Sequence, residues 1–493
     1  MVKQGNAARL LRVLQADRLL RRLAAVARQH GMRLYLVGGS VRDLLRGSPL
    51  ALSRDWDFAV DRGAVRLARA VADAWGAAFV LLDQEHGVAR VVCGKKQQQR
   101  QLDFADFRAA TLKEDLRRRD FTINTLCVDV SALGAPASAD NMFFDYWGGQ
   151  QDLQSKLIRV IRPQNLHDDP LRVVRGFSLC SQLGFAFAPQ TAGLLATAGR
   201  RLGRVAGERI TQELAKLLGC GRAFPALQEM ARADILERLF PELGDLKGLD
   251  QGEYHHLDGW QHSLETVRQF ELLLRRLDRY IGPRAGQRVR CLLSEDISGG
   301  RPRGWIVVLA CLLHDVAKPA TRFQAGDGTV HFYTHDVKGS RIVRTIGRRF
   351  KLAGREIALL ARLVQYHVRP GQLVNRRPSS RAVFRFVRDM GADVIPAILL
   401  TIADRRAMRG RLSRTMVFHE QVLWRIVKQQ AGRRKPATAR LLDGHDIMRL
   451  TKSAPGPQVG RMLAAVEEAQ ALGEITTPRQ ATAWLEQHVH KKN

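Results

Sequence analysis

Leu36-Val37-Gly38-Gly39-Ser40-Val41-Arg42-Asp43-Leu44-Leu45 carries an apolar strand through two glycines into a helix, and Arg54-Asp55-Trp56-Asp57-Phe58-Ala59-Val60 follows shortly after it. Glycines at such a junction, Gly38 and Gly39, let backbone N–H groups approach a phosphate, and the start of the helix adds a favourable dipole. Arg42 is placed to supply a bidentate phosphate ligand. In a strand, Asp55 and Asp57 point to one face, about 7 Å apart along the chain. Such a pair suits divalent metals, which take hard oxygen ligands. Paired metals in turn clamp the attacking and leaving oxygens of an in-line phosphoryl displacement. A lone Gly-Gly turn is usually a plain connection, and a lone Asp-x-Asp usually a solvated strand edge. Their succession is far rarer than either. Gln101-Leu102-Asp103-Phe104-Ala105 is another short strand with an acid in its middle. Asp103 is a third carboxylate, ligating metal or accepting a proton from an attacking hydroxyl, or else a surface aspartate.

Working outward, residues 1–150 alternate short apolar runs with helical patterns, as an α/β unit does. The spacing predicts a helix over 10–27 and strands over 33–37, 57–60, 89–93 and 101–104. Residues 151–250 read as helical, and 244–259 as rich in turns. A second helical block, 251–430, has its most apolar piece at 305–313, which ends on His314-Asp315. The basic run 432–436 reads as a linker, and 436–493 as a last helical segment. Within that segment a glycine- and proline-bounded loop at 441–460 precedes an amphipathic helix. The fold class is therefore α+β, an α/β head followed by all-helical domains.

The chain has 493 residues, enough for about two to four domains. Hydrophobic residues at 45% and charged residues at 26% describe a folded composition. A formal charge of +31 is spread along the whole chain and attracts polyanions, a phosphate backbone being the usual one. An anionic membrane surface is the rival, but no stretch approaches the roughly 20 apolar residues that span a bilayer. The polar start of the chain does not read as a signal peptide. Six scattered cysteines without a CxxC pair read as buried, reduced thiols of a cytoplasmic protein.

Taken together the motifs resemble the class II tRNA nucleotidyltransferases and bacterial poly(A) polymerases. The Gly38–Asp43 turn and Asp55/Asp57 match the first motif of that family. Arg118-Arg119-Asp120-Phe121-Thr122-Ile123-Asn124 resembles the second, associated with ribose and triphosphate, so the resemblance assigns Arg119, Asp120 and Asn124 to the nucleotide. Phe144-Asp145-Tyr146-Trp147-Gly148-Gly149 with Gln150–Leu153 resembles the third, a springy element between head and neck. Asp168-Asp169-Pro170-Leu171-Arg172-Val173-Val174-Arg175 resembles the fourth, and Gly207-Glu208-Arg209-Ile210 with Glu213 the fifth. Family membership implies a polymerase β-like nucleotidyltransferase head using Mg²⁺ held by Asp55 and Asp57. It also implies a base-selecting pair, Asp169 and Arg172, one helical turn apart, which presents acceptors and donors to a Watson–Crick edge, with Arg175 nearby. Asp168 stands where the family commonly has Glu, which shortens its reach.

The second helical block is similar to the HD superfamily of metal-dependent phosphohydrolases. Tyr254-His255-His256 and Gln261-His262-Ser263 precede Cys311-Leu312-Leu313-His314-Asp315-Val316-Ala317-Lys318-Pro319, then His335, His367 and Asp404. Imidazoles with carboxylates bind ions such as Mn²⁺, Ni²⁺ or Co²⁺ and turn bound water into a nucleophile near neutral pH. By motif position the ligands are His262, His314, Asp315 and Asp404, while His335 and His367 bind a second metal or a phosphate oxygen.

The resemblance implies four modules: a head at 1–150, a helical nucleotide-selecting neck at 151–250, an HD domain at 251–430 and an RNA-binding segment at 436–493. The leading expectation is template-independent addition of C and A from CTP and ATP to the tRNA 3′ end, with no obligate protein partner. Poly(A) addition, or addition of CC or A alone, keeps the same chemistry. Residues 76–94 lack the Gly–basic–basic–Phe run common in poly(A) members, which favours tRNA. A different class, an HD phosphodiesterase or phosphatase acting on nucleotides or RNA ends, rests on the second block. A non-catalytic RNA-binding protein would have no need to crowd Asp55 and Asp57 against phosphate.

Overall fold

A computed structural model describes residues 2–49, 55–94, 99–133, 142–252, 256–375, 378–408, 414–432 and 440–489, without the side chains of 2–6, 375 and 489. Arg54, Tyr254, His255 and residues 433–436 of the expected linker lie outside them. The chain forms two compact units, Met1–Glu213 with Glu229–Leu239, and Leu214–Gln228 with Phe240–Asn493. The division runs through the expected neck.

The first unit is built on a seven-stranded sheet: β1 (Leu34–Val37), β2 (Asp55–Val60), β3 (Ala78–Asp83), β4 (Val88–Cys93), β5 (Arg100–Asp106), β6 (Cys127–Asp129) and β7 (Phe143–Phe144). The spatial order is β3-β4-β5-β2-β1-β6-β7. Only β2 and β5 run parallel, pairing Asp57 with Asp103; the other neighbours are antiparallel. Four of these strands carry the pattern expected of them. β3, β6 and β7 do not: β3 leaves most of its apolar side chains in solvent at the sheet edge, and the other two are only three and two residues long.

Burial alternates along β2, with Trp56 and Phe58 inside and Asp55 and Asp57 outside. Trp56, Phe58, Leu102 and Phe104 line the back of the sheet with Leu20, Leu23, Leu67 and Val71 from the covering helices. Each such aromatic contributes about 1.5–3 kcal/mol by leaving water. The helix expected over 10–27 is two helices, Val2–Ala16 and Arg18–Gln29. They break at Asp17, whose carboxylate caps the second by accepting from the Leu20 N–H at 2.9 Å. Beyond the sheet, helices Pro163–Asp168, Leu171–Leu183, Pro189–Gly199 and Gly207–Gly219 follow in the order the helical pattern implies.

The third motif is a fastening for the second. Asp145 caps helix Gly149–Gln154 by accepting from the Gly149 and Gln150 N–H groups at 2.7 and 2.9 Å. Thr122 donates to Asp152 at 2.6 Å, and Arg159 forks onto the same carboxylate. Gly149 packs so closely that a Cβ there would lie 2.5 Å from the Thr122 carbonyl oxygen.

The second unit is helical, with two short hairpins, 296–302 and 322–332, that the sequence pattern does not announce. Helix Arg303–Leu313 is buried from Trp305 to Leu313, as a helix apolar on every side must be. Helices Gly259–Arg275, His335–Arg349, Gly354–Tyr366 and Val394–Met408 belong to the same body. The last segment is a separate cluster, with Leu442, Ile447, Val466 and Leu485 in its core. Part of the loop expected at 441–460 is helix Gly444–Thr451, capped by Asp443, and the final helix runs to Val489. All six cysteines are free thiols, but Cys220 and Cys291 are exposed rather than buried. The first follows the end of its helix, and the second lies on the solvent face of Pro283–Ser294. Among the described residues, no helix is long and apolar enough to cross a membrane.

Gly149→Ala should force its helix off the Thr122 turn, an overpacking cost of about 1–3 kcal/mol. Thermal unfolding followed by circular dichroism should show a lower first transition, with Gly148→Ala, whose added Cβ meets nothing within 4 Å but sits at positive φ, as a comparison for backbone strain alone.

Candidate active sites

Gly38 turns at φ 78°, a conformation that favours glycine, and opens helix Gly39–Leu45. A Cβ at Gly38 would sit 3.4 Å from an Arg119 guanidinium nitrogen, 3.8 Å from the Asn124 carbonyl oxygen and 3.9 Å from Asp57 Oδ2. The first and second motifs therefore meet at one point, far apart in sequence as they are. Arg42 is nearly buried; it forks onto Asp43 at 2.9 and 3.0 Å and donates to Asn124 Oδ1 at 2.8 Å. Its fork is thus engaged within the protein, and it props the turn.

Asp55, Asp57 and Asp103 project from the same face of β2 and β5, because register partners in a parallel pair share a face. Asp57 is exposed beside the Gly38 turn. Its carboxyl is raised above the usual range by desolvation, with Asp103 and Asp55 adding and Arg119 opposing. Asp103 is gripped by Arg90, its partner on β4, with Nε–Oδ1 at 2.6 Å and a terminal nitrogen on Oδ2 at 2.8 Å. Arg90 is a residue that sequence reasoning missed; only its place opposite Asp103 in the register points to it.

Asp120 accepts from the Phe121 N–H at 2.8 Å and from Asn124 Nδ2 at 3.0 Å, and faces Arg175 at 3.4 Å. Burial pushes its carboxyl up, but Arg175 and these donors overcome that and hold it below the ordinary value. Arg175 also reaches Glu213 at 3.5 Å, so the second, fourth and fifth motifs join through one guanidinium. Asp169 precedes the helix that carries Arg172: it is extended at φ −139°, ψ 93°, between helices Pro163–Asp168 and Leu171–Leu183, while its carbonyl accepts from the Arg172 N–H at 3.1 Å and closes one turn between them. Pro170 biases the residue before it away from the helical region, and the Asp169 carboxylate instead accepts from the Leu171 N–H at 3.3 Å. Arg209 pairs with Asp169 at 3.0 Å, while Arg172 donates to the carbonyls of Arg118 at 2.8 Å and Asn165 at 3.1 Å. Burial lowers the pKa of Arg172. Arg209 was legible only as part of a motif, not as the partner of Asp169. Asp168 is exposed and accepts from Gln164 at 2.6 Å.

In the second unit the six expected residues converge. His262 Nε2 lies 3.0 Å from Asp404 Oδ1 and 3.3 Å from His314 Nε2, and His314 Nε2 lies 3.1 Å from Asp315 Oδ2. Asp315 Oδ1 faces the other way, 3.5 Å from His335 Nε2 and 3.7 Å from His367 Nε2. One carboxylate thus stands between two ligand groups, His262/His314/Asp315 and Asp315/His335/His367.

Nδ1 of His314, His335 and His367 lies 2.9, 2.7 and 2.7 Å from the carbonyl oxygen three residues earlier. A carbonyl only accepts, so Nδ1 holds a proton, and whenever the ring is neutral Nε2 turns its lone pair inward. His335 and His367 then face each other Nε2 to Nε2 at 3.3 Å, two acceptors with nothing to share. Such a pair fits a cation. Burial disfavours charge on His314, but Asp315 and Asp404 outweigh it and lift its pKa to about 10. Burial, with His314 and His335 close by, holds His367 down to about 4. Lys318, absent from the expected ligand set, reaches Asp315 Oδ2 at 2.7 Å and Gln251 at 2.5 Å; its three-residue spacing from Asp315 is the signal.

The geometry defines a protein with two polar centres, one of acids beside a glycine turn and one of histidines around a shared aspartate. Comparisons with known proteins agree. Residues 34–159 match the poly A polymerase head domain, 184–246 the probable RNA and SrmB-binding site of polymerase A, and 259–409 the HD domain. The A-adding tRNA nucleotidyltransferase of Deinococcus radiodurans is 35% identical over 464 residues, 92% of this chain and 94% of its own length. The CC-adding tRNA nucleotidyltransferase of Thermus thermophilus is 32% identical over 463 residues, 92% of each. The fold is that of the Thermotoga maritima CCA-adding enzyme complexed with tRNA, with TM-score 0.63, 21% identity and 98% of both chains covered. This chain belongs to the tRNA nucleotidyltransferase family and is a nucleotidyltransferase with an HD domain.

Arg90→Ala should free Asp103 and slow nucleotide incorporation by about 10- to 100-fold, the usual cost of losing a group that orients a metal-binding carboxylate. Single-turnover kinetics should show unchanged CTP binding. Elemental analysis of Mn²⁺-loaded second-unit sites should give two ions in the wild type, one in His367→Ala and none in Asp315→Asn.

Proposed function

We propose that this chain adds C and A to the tRNA 3′ end from CTP and ATP, without a nucleic-acid template. The observation that carries the reading is the meeting of Gly38, Asp57, Arg119 and Asn124 around one point, beside Asp55 and Asp103. Asp55 and Asp57 would hold Mg²⁺, which when bound neutralises triphosphate charge and favours ionisation of the RNA terminal hydroxyl. The Gly38-Gly39 backbone leaves room for the triphosphate, and Arg119 faces the same space. Arg42, Asn124, Asp120 and Arg175 keep that wall in place, so little reorganisation accompanies reaction. Asp103, oriented by Arg90, completes the acid face as a ligand or proton acceptor.

Base choice falls to Asp169 with Arg172, to which the Asp169–Arg209 pair adds a third member. An acceptor and guanidinium donors at a helix junction present the groups that read a Watson–Crick edge. The modules at 1–150, 151–250, 251–430 and 436–493 are proposed to divide catalysis, nucleotide selection, HD chemistry and RNA binding. Restricted addition, of A alone or of CC alone, is the nearest alternative, because the two relatives named above carry those two names.

A second reading is favoured by the facing His335 and His367. The second unit would hold two divalent ions, through His262, His314, Asp315 and Asp404, and through Asp315, His335 and His367. Bound metal there supplies an activated water for phosphoester hydrolysis.

The decisive measurement is the 3′-end sequence of products made from tRNA lacking CCA, CA or only A, with CTP and ATP alone and together. Full CCA from the shortest tRNA supports the main reading; A added only to tRNA ending in CC, or extension that halts at CC, assigns the restricted ones. Asp57→Ala should abolish every product, and Arg172→Ala should raise misincorporation more than it weakens triphosphate binding.

A further inference from the structure

The hairpin of strands Arg322–Gln324 and Val330–Phe332 stands beside the histidine centre. Side chains alternate across it. Phe332 is on one face, with Lys318 Nζ 5.3 Å from its ring centroid, and Lys318 is itself on Asp315. The opposite face carries Phe323, His331 and, just beyond the second strand, Tyr333. His331 and Tyr333 stack at 5.2 Å with their planes 20° apart, and Phe323 lies 6.1 Å from Tyr333. Phe323 is 53% and Tyr333 62% exposed. Large aromatics are normally removed from water, and two of them in solvent, Tyr333 stacked on a half-buried His331, form a patch that calls for a ligand.

The neighbourhood identifies the ligand. Arg322 on the hairpin and Lys338, Arg341 and Arg344 on helix His335–Arg349 are exposed, against Asp327 at the hairpin tip and Asp336. Exposed flat rings, with an arginine on the same hairpin and further cations on the helix that follows it, suit nucleobases joined by phosphates, since any base offers a π-face and cations attract the backbone. The platform is also fixed relative to the metal ligands. The Phe332 carbonyl accepts from His335 Nδ1 at 2.7 Å. Thr334 between them sits at φ 62°, an unusual conformation for a β-branched residue, and turns the chain directly into His335.

We propose that Phe323, His331 and Tyr333 form a stacking platform for an unpaired base of single-stranded RNA, adjacent to a 3′-terminal phosphoester engaged at the histidine–aspartate centre. The proposal rests on the phosphohydrolase reading for the role of that phosphoester, but not for the stacking itself. It makes the substrate of the second centre an RNA end, read through a neighbouring base, in preference to a free mononucleotide.

The test uses the full chain loaded with Mn²⁺ and a hexanucleotide RNA ending in a 2′,3′-cyclic phosphate, with 4-thiouridine next to the terminal nucleotide. Photo-crosslinking followed by peptide mass spectrometry should place the adduct on 322–333. The yield at half-saturating RNA should fall about five- to tenfold in Phe323→Ala/Tyr333→Ala and be retained in Tyr333→Phe. An unchanged melting temperature would show that the exposed substitutions leave the fold intact. Adducts confined to other residues, or equal yields in wild type and double variant, overturn the platform. Hydrolysis of the cyclic phosphate is followed in the same samples. An adduct on the hairpin without hydrolysis of any RNA or mononucleotide overturns the phosphohydrolase reading alone, whereas hydrolysis without the adduct overturns the platform alone.

Discussion

The parallel pairing of β2 with β5 is the constraint on which the first unit depends. It sets Asp57 directly beside Asp103, with Trp56, Phe58, Leu102 and Phe104 buried on the other side. Strand side chains alternate with a period of two, so a slip of one residue would bury both acids and expose four large apolar groups. The free energy of that core therefore enforces the position of the charges. Acids that repel one another are held together by residues that never touch a substrate.

A net charge of +31 gives the chain its attraction for polyanions, yet the arginines nearest the acids are mostly committed within the protein. Arg42 is on Asp43 and Asn124, Arg90 on Asp103, Arg175 on Asp120 and Glu213, and Arg172 on two backbone carbonyls. Such pairs fix geometry in advance of the ligand, and that is worth more than loose charge, because a donor already oriented does not reorganise during reaction. Long-range attraction falls to the exposed remainder.

The second unit solves a different problem. A wholly buried apolar helix delivers His314 and Asp315 to its end, and three backbone carbonyls fix the imidazoles so that their lone pairs turn inward. The arrangement is costly without a positive charge inside it. A proton on His314 can supply part of that charge, and a cation held by these residues would supply the rest.

Much of this could be read in the chain itself. The glycine turn, the Asp55/Asp57 pair, Asp103, the buried helix at 305–313 and the six histidines and aspartates that converge in the second unit were legible, because local periodicity and residue chemistry carry them. The short strands β6 and β7 and the exposed edge strand β3 were not, having too few residues or too little burial to leave a pattern. Nor was the break at Asp17, where capping outweighs a continuous apolar stripe, or the helix junction at Asp169. The sequence by itself determined which side chains were available and the face of each strand they occupy. Only the tertiary structure decided the partnerships: Arg90 with Asp103, Arg209 with Asp169, Lys318 with Asp315, and three aromatic rings beside His335. The physical reason is that alternation and helical pitch are local properties, whereas register, strand order and the crossing of helices are set by how the whole core packs.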